Sequence, residues 1–167
     1  HLIRWNGCLP IFISIISRFV KQCTAVKKME RMNKMNKDQI AVSLMCMDFL
    51  KIKEQLEVLN EAKGYCANVL HCIDTVVPEL KGNKKDDTDE YLRMTVDGVN
   101  VALEMYNATR DLTAGAQPAV DEADGNKAVK ELSAALKSGD DSAKADALVK
   151  VRVFIAQFKE CAEAVCK

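Results

Sequence analysis

The sequence predicts an all-α protein: an up-and-down four-helix bundle (five helices if the first breaks near Gly64) with a basic, partly apolar N-terminal extension. Three observations predict this class. Apolar residues recur at alternating spacings of three and four along most of the chain, which is the spacing of one helix face. Only 5% of the 167 residues are aromatic, and no segment has the apolar and polar alternation typical of a strand. Short turn-like segments separate the helical ones, which favours antiparallel neighbours.

The first predicted helix has the longest apolar seam. Its positions are Met45, Phe49, Ile52, Leu56, Leu59, Lys63, Cys66, Leu70, Ile73, Val77 and Leu80. Lys63 is the one charged member, and it precedes Gly64, which costs a helix about 1 kcal/mol relative to alanine. We therefore expect either one helix of about 40 residues or two helices that meet near Gly64. Pro78 is expected to kink or fray the last turn.

The second predicted helix follows a loop that runs from Lys81 to Lys85. Asp87, with Glu90 three residues later, is an acidic form of the capping box and marks its start. Its seam consists of Leu92, Val96, Val99, Leu103, Tyr106 and Arg110. The helix is expected to end near Gly115.

The third predicted helix is shorter. Pro118 suits a first-turn position, but Gly125 is expected to interrupt the helix, so that its continuous part runs from Asn126 to Lys137. Its apolar positions are Val129, Leu132 and Leu136.

The last predicted helix begins at about Asp141 and runs to the end of the sequence. Gly139 is the candidate C-cap of the preceding helix, and Asp140 or Asp141 caps the new one. One face carries Leu148, Val151, Ile155, Phe158, Ala162 and Val165.

The charge distribution divides the chain into two predicted domains. Residues 1–37 contain eight basic residues and one acid, whereas residues 38–167 contain sixteen basic and twenty-three acidic residues. We interpret residues 1–37 as a basic N-terminal arm or a targeting-derived leader, and residues 38–167 as an acidic helical bundle. The formal net charge of the whole chain is zero, so we expect no nucleic-acid partner.

The N-terminal arm contains an apolar run from Leu9 to Val20. A membrane-spanning helix needs about 20 residues, so this run is too short to span, but it matches the core of a signal peptide. The alternative is a short apolar helix that packs on the body or on a partner. We expect an organellar lumen or a secretory, oxidising compartment, with the cytoplasm as the alternative, and proximity of the arm to a membrane surface. The candidate partner-anchoring residues are Arg4, Trp5, Phe12, Arg18, Phe19, Lys21, Lys27 and Lys28.

Five cysteines lie in the predicted bundle, and all are candidates for disulfides: Cys46, Cys66, Cys72, Cys161 and Cys166. Neighbouring pairs are too far apart along a helix to bridge each other, because the Cα atoms of a disulfide lie within about 7 Å. Each could instead join two helices in an oxidising compartment. The alternative is that they are free buried thiols acting as small apolar side chains.

The motifs that carry most enzyme chemistry do not occur in this sequence. There is no glycine-rich phosphate loop, no nucleophile elbow and no HExxH pair. His71 is the only histidine of the bundle, and the acidic stretch that begins at Asp121 has Leu132 where a calcium loop needs a glutamate. We therefore predict no catalytic residue, no metal ligand and no cofactor, and a protein that is not an enzyme.

Two hypotheses of function remain. The first is a non-catalytic helical accessory or structural subunit, docked on a larger complex that is either membrane-associated or free of the membrane, whose partners are other protein subunits. The second is a soluble carrier that binds an apolar ligand or pigment inside the bundle. Small residues on the last two helices could leave space for such a ligand: Ala134, Ala135, Ala143, Ala147, Ala156 and Ala162.

An N-terminal leader followed by a four-helix bundle of residues 38–167 resembles the layout of PsbQ-type extrinsic proteins of the photosystem II lumen. The resemblance covers architecture and leader, and carries over no motif residue. It implies a subunit without catalysis that stabilises the oxygen-evolving side of a membrane complex.

Overall fold

The computed structural model describes residues 37–167. These form five helices, α1 (Lys37–Leu80), α2 (Thr88–Ala108), α3 (Arg110–Thr113), α4 (Glu122–Ser138) and α5 (Asp141–Val165). No strand occurs among the described residues, and the predicted all-α class is confirmed. The predicted four helices are the four long ones, and the fifth is a single turn that follows a break at Thr109 rather than at Gly64.

Helix α1 is continuous over 44 residues. It passes through Gly64, where a Cβ would have no atom within 4 Å, so this glycine costs only backbone entropy. Packing of the buried face outweighs that cost. The helix also contains Pro78 and ends two residues later, so the proline lies in its last turn as predicted.

The loop between α1 and α2 is closed by a hydroxyl rather than by the predicted capping box. Asp87 is the N-cap residue, but its side chain makes no capping hydrogen bond. Instead, the Lys85 backbone N–H donates to the Thr88 hydroxyl over 2.8 Å. The helical segment ends at Thr113, close to the predicted end at Gly115.

Two predictions about the start of α4 are wrong. The helix begins at Glu122 and runs through Gly125, because Asp121 is its N-cap and accepts a hydrogen bond from the Asp124 N–H over 3.0 Å. Pro118 is not in the first turn: it lies in the preceding loop, after a cis peptide bond.

The junction between α4 and α5 is as predicted. Gly139 is the C-cap residue of α4 and has a φ of 78°, in the left-handed region that glycine enters without steric cost. Asp140 caps α5 by accepting a hydrogen bond from the Ser142 N–H over 3.0 Å.

Salt bridges between helices fix their directions. Asp74 pairs with Arg152, and Lys81 pairs with Asp146, so α1 and α5 run antiparallel. Glu131 pairs with Lys150, and Gly125, earlier on α4, lies against Phe154, later on α5, so α4 and α5 are antiparallel as well. These directions are those of an up-and-down bundle.

The core lies where α5 meets the other helices. Its largest fully buried side chains include Leu59, Ile73, Val99, Leu148, Val151, Ile155 and Phe158. The predicted face of α5 is thus buried from Leu148 to Ala162, with Val165 half-buried. In α2, Leu92, Val99 and Tyr106 are buried as predicted, whereas Val96 and Leu103 are half-buried and Arg110 is exposed.

The buried sector of α1 includes the predicted positions Leu59, Cys66, Ile73 and Leu80 and extends to one side of them. Lys63, Leu70 and Val77 are half-buried, and the residues just before them are buried instead: Ala62, Val69 and Val76. A helix inside a bundle is covered from two sides, so it buries a wider sector than the narrow stripe of a two-stranded coiled coil.

The chain divides into two units between residues 51 and 52. The described part of the first unit, residues 37–51, is helical throughout. The second unit contains the bundle. The predicted boundary after residue 37 stays a prediction.

Candidate functional site

The N-terminal half of α1 carries a row of exposed apolar side chains, which we call the α1 apolar face. Its members and their exposed fractions are Val42 (62%), Met45 (72%), Phe49 (69%), Ile52 (46%) and Leu56 (38%). They alternate three and four residues apart, so they form one stripe along the helix. Four of the five were predicted to belong to the buried seam, and for these that prediction is wrong.

Burial on α1 begins near the C-terminal end of α5. Helix α5 ends at Val165, and the Cys166 sulfur lies 4.0 Å from the Leu56 carbonyl oxygen. The first fully buried position of α1 is Leu59. The seam continues toward the N-terminus from Leu56, and its apolar side chains there are exposed.

A surface groove between α4 and α5 is a second candidate. It has a volume of about 270 Å³ and is lined by Asp121, Asp124, Gly125, Lys127, Ala128, Glu131, Lys150, Val153, Phe154 and Gln157. Its base is apolar and its rim carries both signs of charge. Two rim groups are already paired with each other, because Lys150 bonds to Glu131 and the bond lowers the pKa of that carboxyl.

The base of this groove is an unusually close contact between helices. A Cβ placed on Gly125 would lie 2.2 Å from Cδ2 of Phe154, so only glycine allows α4 to approach the ring this closely. The Tyr106 ring stands edge-on to Phe154 and Phe158, with centroids 5.2 and 5.3 Å apart. These contacts favour a packing role for Gly125, which the sequence alone suggested was a helix breaker.

A three-residue polar cluster joins the end of α2 to the start of α4. The Tyr106 hydroxyl donates to Glu122 Oε1 over 2.6 Å, and Arg110 donates to both carboxylate oxygens of Glu122. The bonds from Arg110 and then from Tyr106 lower the Glu122 pKa to about 2. Burial, followed by the bond to Glu122, raises the Tyr106 pKa. At neutral pH the carboxylate is ionised and the phenol is neutral, so the cluster is suited to holding helices together rather than to moving a proton.

A second polar cluster lies at the loop between α1 and α2. Glu79 is only 7% exposed, and its carboxylate accepts hydrogen bonds from Lys85 Nζ and from the Thr88 hydroxyl, the latter over 2.9 Å. Thr88 is fully buried. The buried carboxylate is therefore satisfied by the loop that it helps to close.

The five candidate disulfide cysteines are free thiols in the structure. Cys66, Cys72 and Cys161 are buried, Cys166 is half-buried and Cys46 is exposed. Burial raises the pKa of Cys66 to about 12 and also raises that of Cys161, so both remain protonated at neutral pH. The three buried thiols pack as small apolar side chains, which was the alternative to a disulfide.

The predicted anchoring residues of the N-terminal arm, from Arg4 to Lys28, lie outside the described residues. Within residues 37–167, no group of three or more histidine, cysteine, aspartate or glutamate side chains could hold a metal ion. None of the helices described is both long and apolar enough to span a membrane. The sequence analysis placed four members of the α1 apolar face in one apolar seam but did not include Val42 and did not predict that the seam is exposed there.

Comparison with known proteins gives one match. Residues 57–151 match the model of a domain of unknown function, DUF8042. The matched range begins directly after Leu56 and ends in α5, so it covers most of the bundle and more than half of the chain. No curated protein and no solved structure matches the chain.

Proposed function

We propose that this chain, which belongs to the DUF8042 family of domains of unknown function, is a non-catalytic helical subunit that assembles with other protein chains through its α1 apolar face. The observation that carries the proposal is the exposure of this face. Its five apolar side chains are between 38% and 72% exposed and lie on one stripe. A contiguous exposed apolar stripe of this kind is typical of a protein interaction site, whereas scattered single apolar residues are not.

The helical form of the face supports a helical partner. An amphipathic helix presents its anchors every three or four residues, and another helix fills the spaces between them. Phe49 lies at the centre of the stripe and is 69% exposed, so it is the expected anchor.

The polar clusters support a role without catalysis. Glu79 and Glu122 are each held by two donors from neighbouring segments, and Asp141 bonds to Lys84 and Lys144. In each case the bonds close a loop or join helices, which is a structural task. An oligomer or complex of this kind could lie in an organellar lumen, and a PsbQ-type role in photosystem II would be one instance of it.

The carrier hypothesis has less support. The groove between α4 and α5 is an open surface depression whose volume, about 270 Å³, is at the lower end of small-molecule sites. Charged side chains form its rim, and these would be poor neighbours for an apolar ligand.

Native mass tests the proposal. The endogenous chain is compared with Phe49→Asp on a native gel of a gentle lysate, and Val149→Asp, a 42% exposed position of α5, is the matched control. We expect the natural chain and the control to migrate well above 18.5 kDa, and Phe49→Asp to migrate lower. Migration of all three at the mass of one chain would refute assembly through this face.

A further inference from the structure

We infer that the partner of the α1 apolar face is the same face of a second copy of this chain, paired in parallel as a two-stranded coiled coil. The inference rests on the proposed function, because it uses the same surface. It adds the identity of the partner and the direction of its helix.

The face has the two core positions that a two-stranded coiled coil requires. In a heptad labelled a to g, Val42, Phe49 and Leu56 occupy a, and Met45 and Ile52 occupy d. All five side chains are exposed and thus free to enter the holes of a facing helix. The stripe from residue 42 to residue 56 is about 21 Å long at 1.5 Å per residue.

A coiled coil this short is normally unstable because helix nucleation has an unfavourable free energy. Here that cost is already met, because residues 42–56 belong to the 44-residue helix α1. Its C-terminal half is held by buried side chains from Leu59 to Leu80. Two copies need only bring together helices that exist before they meet.

The flanking charges select a second copy and a direction. Asp48 occupies position g and Lys53 occupies the next position e, and both are exposed. In a parallel coiled coil, a g side chain faces the e side chain five residues later on the other helix. Asp48 of each copy would therefore meet Lys53 of the other, which gives two identical ion pairs related by a two-fold axis.

An antiparallel arrangement does not use these charges. It places g beside g and e beside e, so Asp48 would face an aspartate, an alanine or a glutamine, and Lys53 would have no acidic partner on the face. Each helix thus carries both an acidic and a basic member of the ion pair, Asp48 and Lys53. Of the two arrangements, only the parallel dimer brings the acidic residue of one copy next to the basic residue of the other. A self-complementary surface is what an interface between two identical chains requires.

Sedimentation equilibrium of the purified full chain tests the inference. We expect two chains of 18.5 kDa in the associated species, and no association of Phe49→Asp. Asp48→Lys and Lys53→Asp should each raise the dimer dissociation constant by roughly 3- to 30-fold, because two exposed ion pairs per dimer become repulsive contacts. The double variant Asp48→Lys with Lys53→Asp should return it to within about twofold of the natural value.

The control is Glu61→Lys, an exposed charge at outer position f of the same helix, which should leave the constant unchanged. A chain that stays monomeric would overturn the inference. So would a dimer whose single charge reversals are not rescued by the double variant, since that dimer is not the parallel one. If the chain dimerises only after deletion of residues 1–36, then those residues cover the α1 apolar face in the full chain, and this result also overturns the inference.

The two proposals fail separately. A purified chain that is monomeric, together with a raised native mass in lysate that Phe49→Asp abolishes, would refute pairing with a second copy and leave assembly through the α1 apolar face intact. Insensitivity of both measurements to Phe49→Asp would refute both proposals.

Discussion

Gly125 of α4 lies against the ring of Phe154 in α5, so close that a Cβ on the glycine would be 2.2 Å from Cδ2 of the phenylalanine. Phe154 is itself 5% exposed and has Tyr106 edge-on to its ring, so it has little freedom to retreat. The absence of a side chain at residue 125 therefore determines how closely α4 packs on α5.

Gly125→Ala should destabilise the protein. Alanine favours a helix by about 1 kcal/mol over glycine, but overpacking a core contact costs about 1–3 kcal/mol, and a contact this close lies toward the upper end, so we expect a net loss of about 1–2 kcal/mol. Gly64→Ala is the matched control, because a Cβ there meets no atom within 4 Å, and it should stabilise by about 0.5–1 kcal/mol. Urea denaturation measures both changes. If Gly125→Ala were as stabilising as Gly64→Ala, the close contact would not exist.

Ile155→Asp should unfold the bundle, since Ile155 is 0% exposed and the substitution buries an unpaired charge. The expected loss exceeds about 4 kcal/mol. Val153→Asp, two residues earlier on the same helix and 54% exposed, should change stability by no more than about 0.5 kcal/mol. Thermal melts followed by circular dichroism compare the two. Equal melting temperatures for the two variants would contradict the orientation of α5.

Thr88→Val tests the cluster that closes the loop between α1 and α2. The substitution keeps the shape but removes the hydroxyl that donates to buried Glu79 and accepts from the Lys85 N–H. We expect a loss of about 1–3 kcal/mol in the free energy of unfolding. Thr75→Val is the control: its hydroxyl bonds only to a carbonyl of its own helix, so it should cost no more than about 0.5 kcal/mol. Similar losses for both would show that the Thr88 hydroxyl does not hold the loop.

Glu122 should make stability depend on pH in the acid range. Its pKa in the folded protein is about 2, below the ordinary value of 4.5, because Arg110 and Tyr106 donate to the ionised form. A lowered pKa contributes stability that is complete above about 4.5 and is lost as the pH falls toward about 2. Unfolding free energies measured across this range should fall less steeply for Glu122→Gln than for the natural chain. A slope for Glu122→Gln equal to that of the natural chain would refute the cluster.

Local signals in the sequence predicted the helix boundaries that depend on local chemistry. Gly139 and Asp140 end one helix and begin the next, and each does so through its own backbone or side chain. The face of α5 was predictable for a similar reason, since its periodicity is regular. The predicted helix interruption at Gly125 is wrong. This position requires glycine because it packs against Phe154, which is 29 residues away in the sequence, so no local signal shows the reason.

No local signal in the sequence reveals that the α1 apolar face is exposed. Its residues have the same spacing as the buried ones after Leu59, so no pattern within α1 distinguishes the two halves. What distinguishes them is burial in the folded chain: Leu59 is the first fully buried position, and the apolar side chains before it are exposed. The candidate anchors of the N-terminal arm remain predictions.

Amide hydrogen exchange along α1 of the full chain, followed at low and high protein concentration with Phe49→Asp beside it, reports whether another protein chain covers residues 42–56. We propose that it does. We expect their amides to be protected at high concentration, and to lose that protection on dilution or in Phe49→Asp, while the amides of residues 59–80 stay equally protected throughout. Exchange of residues 42–56 that is the same at both concentrations and in the variant would contradict the claim.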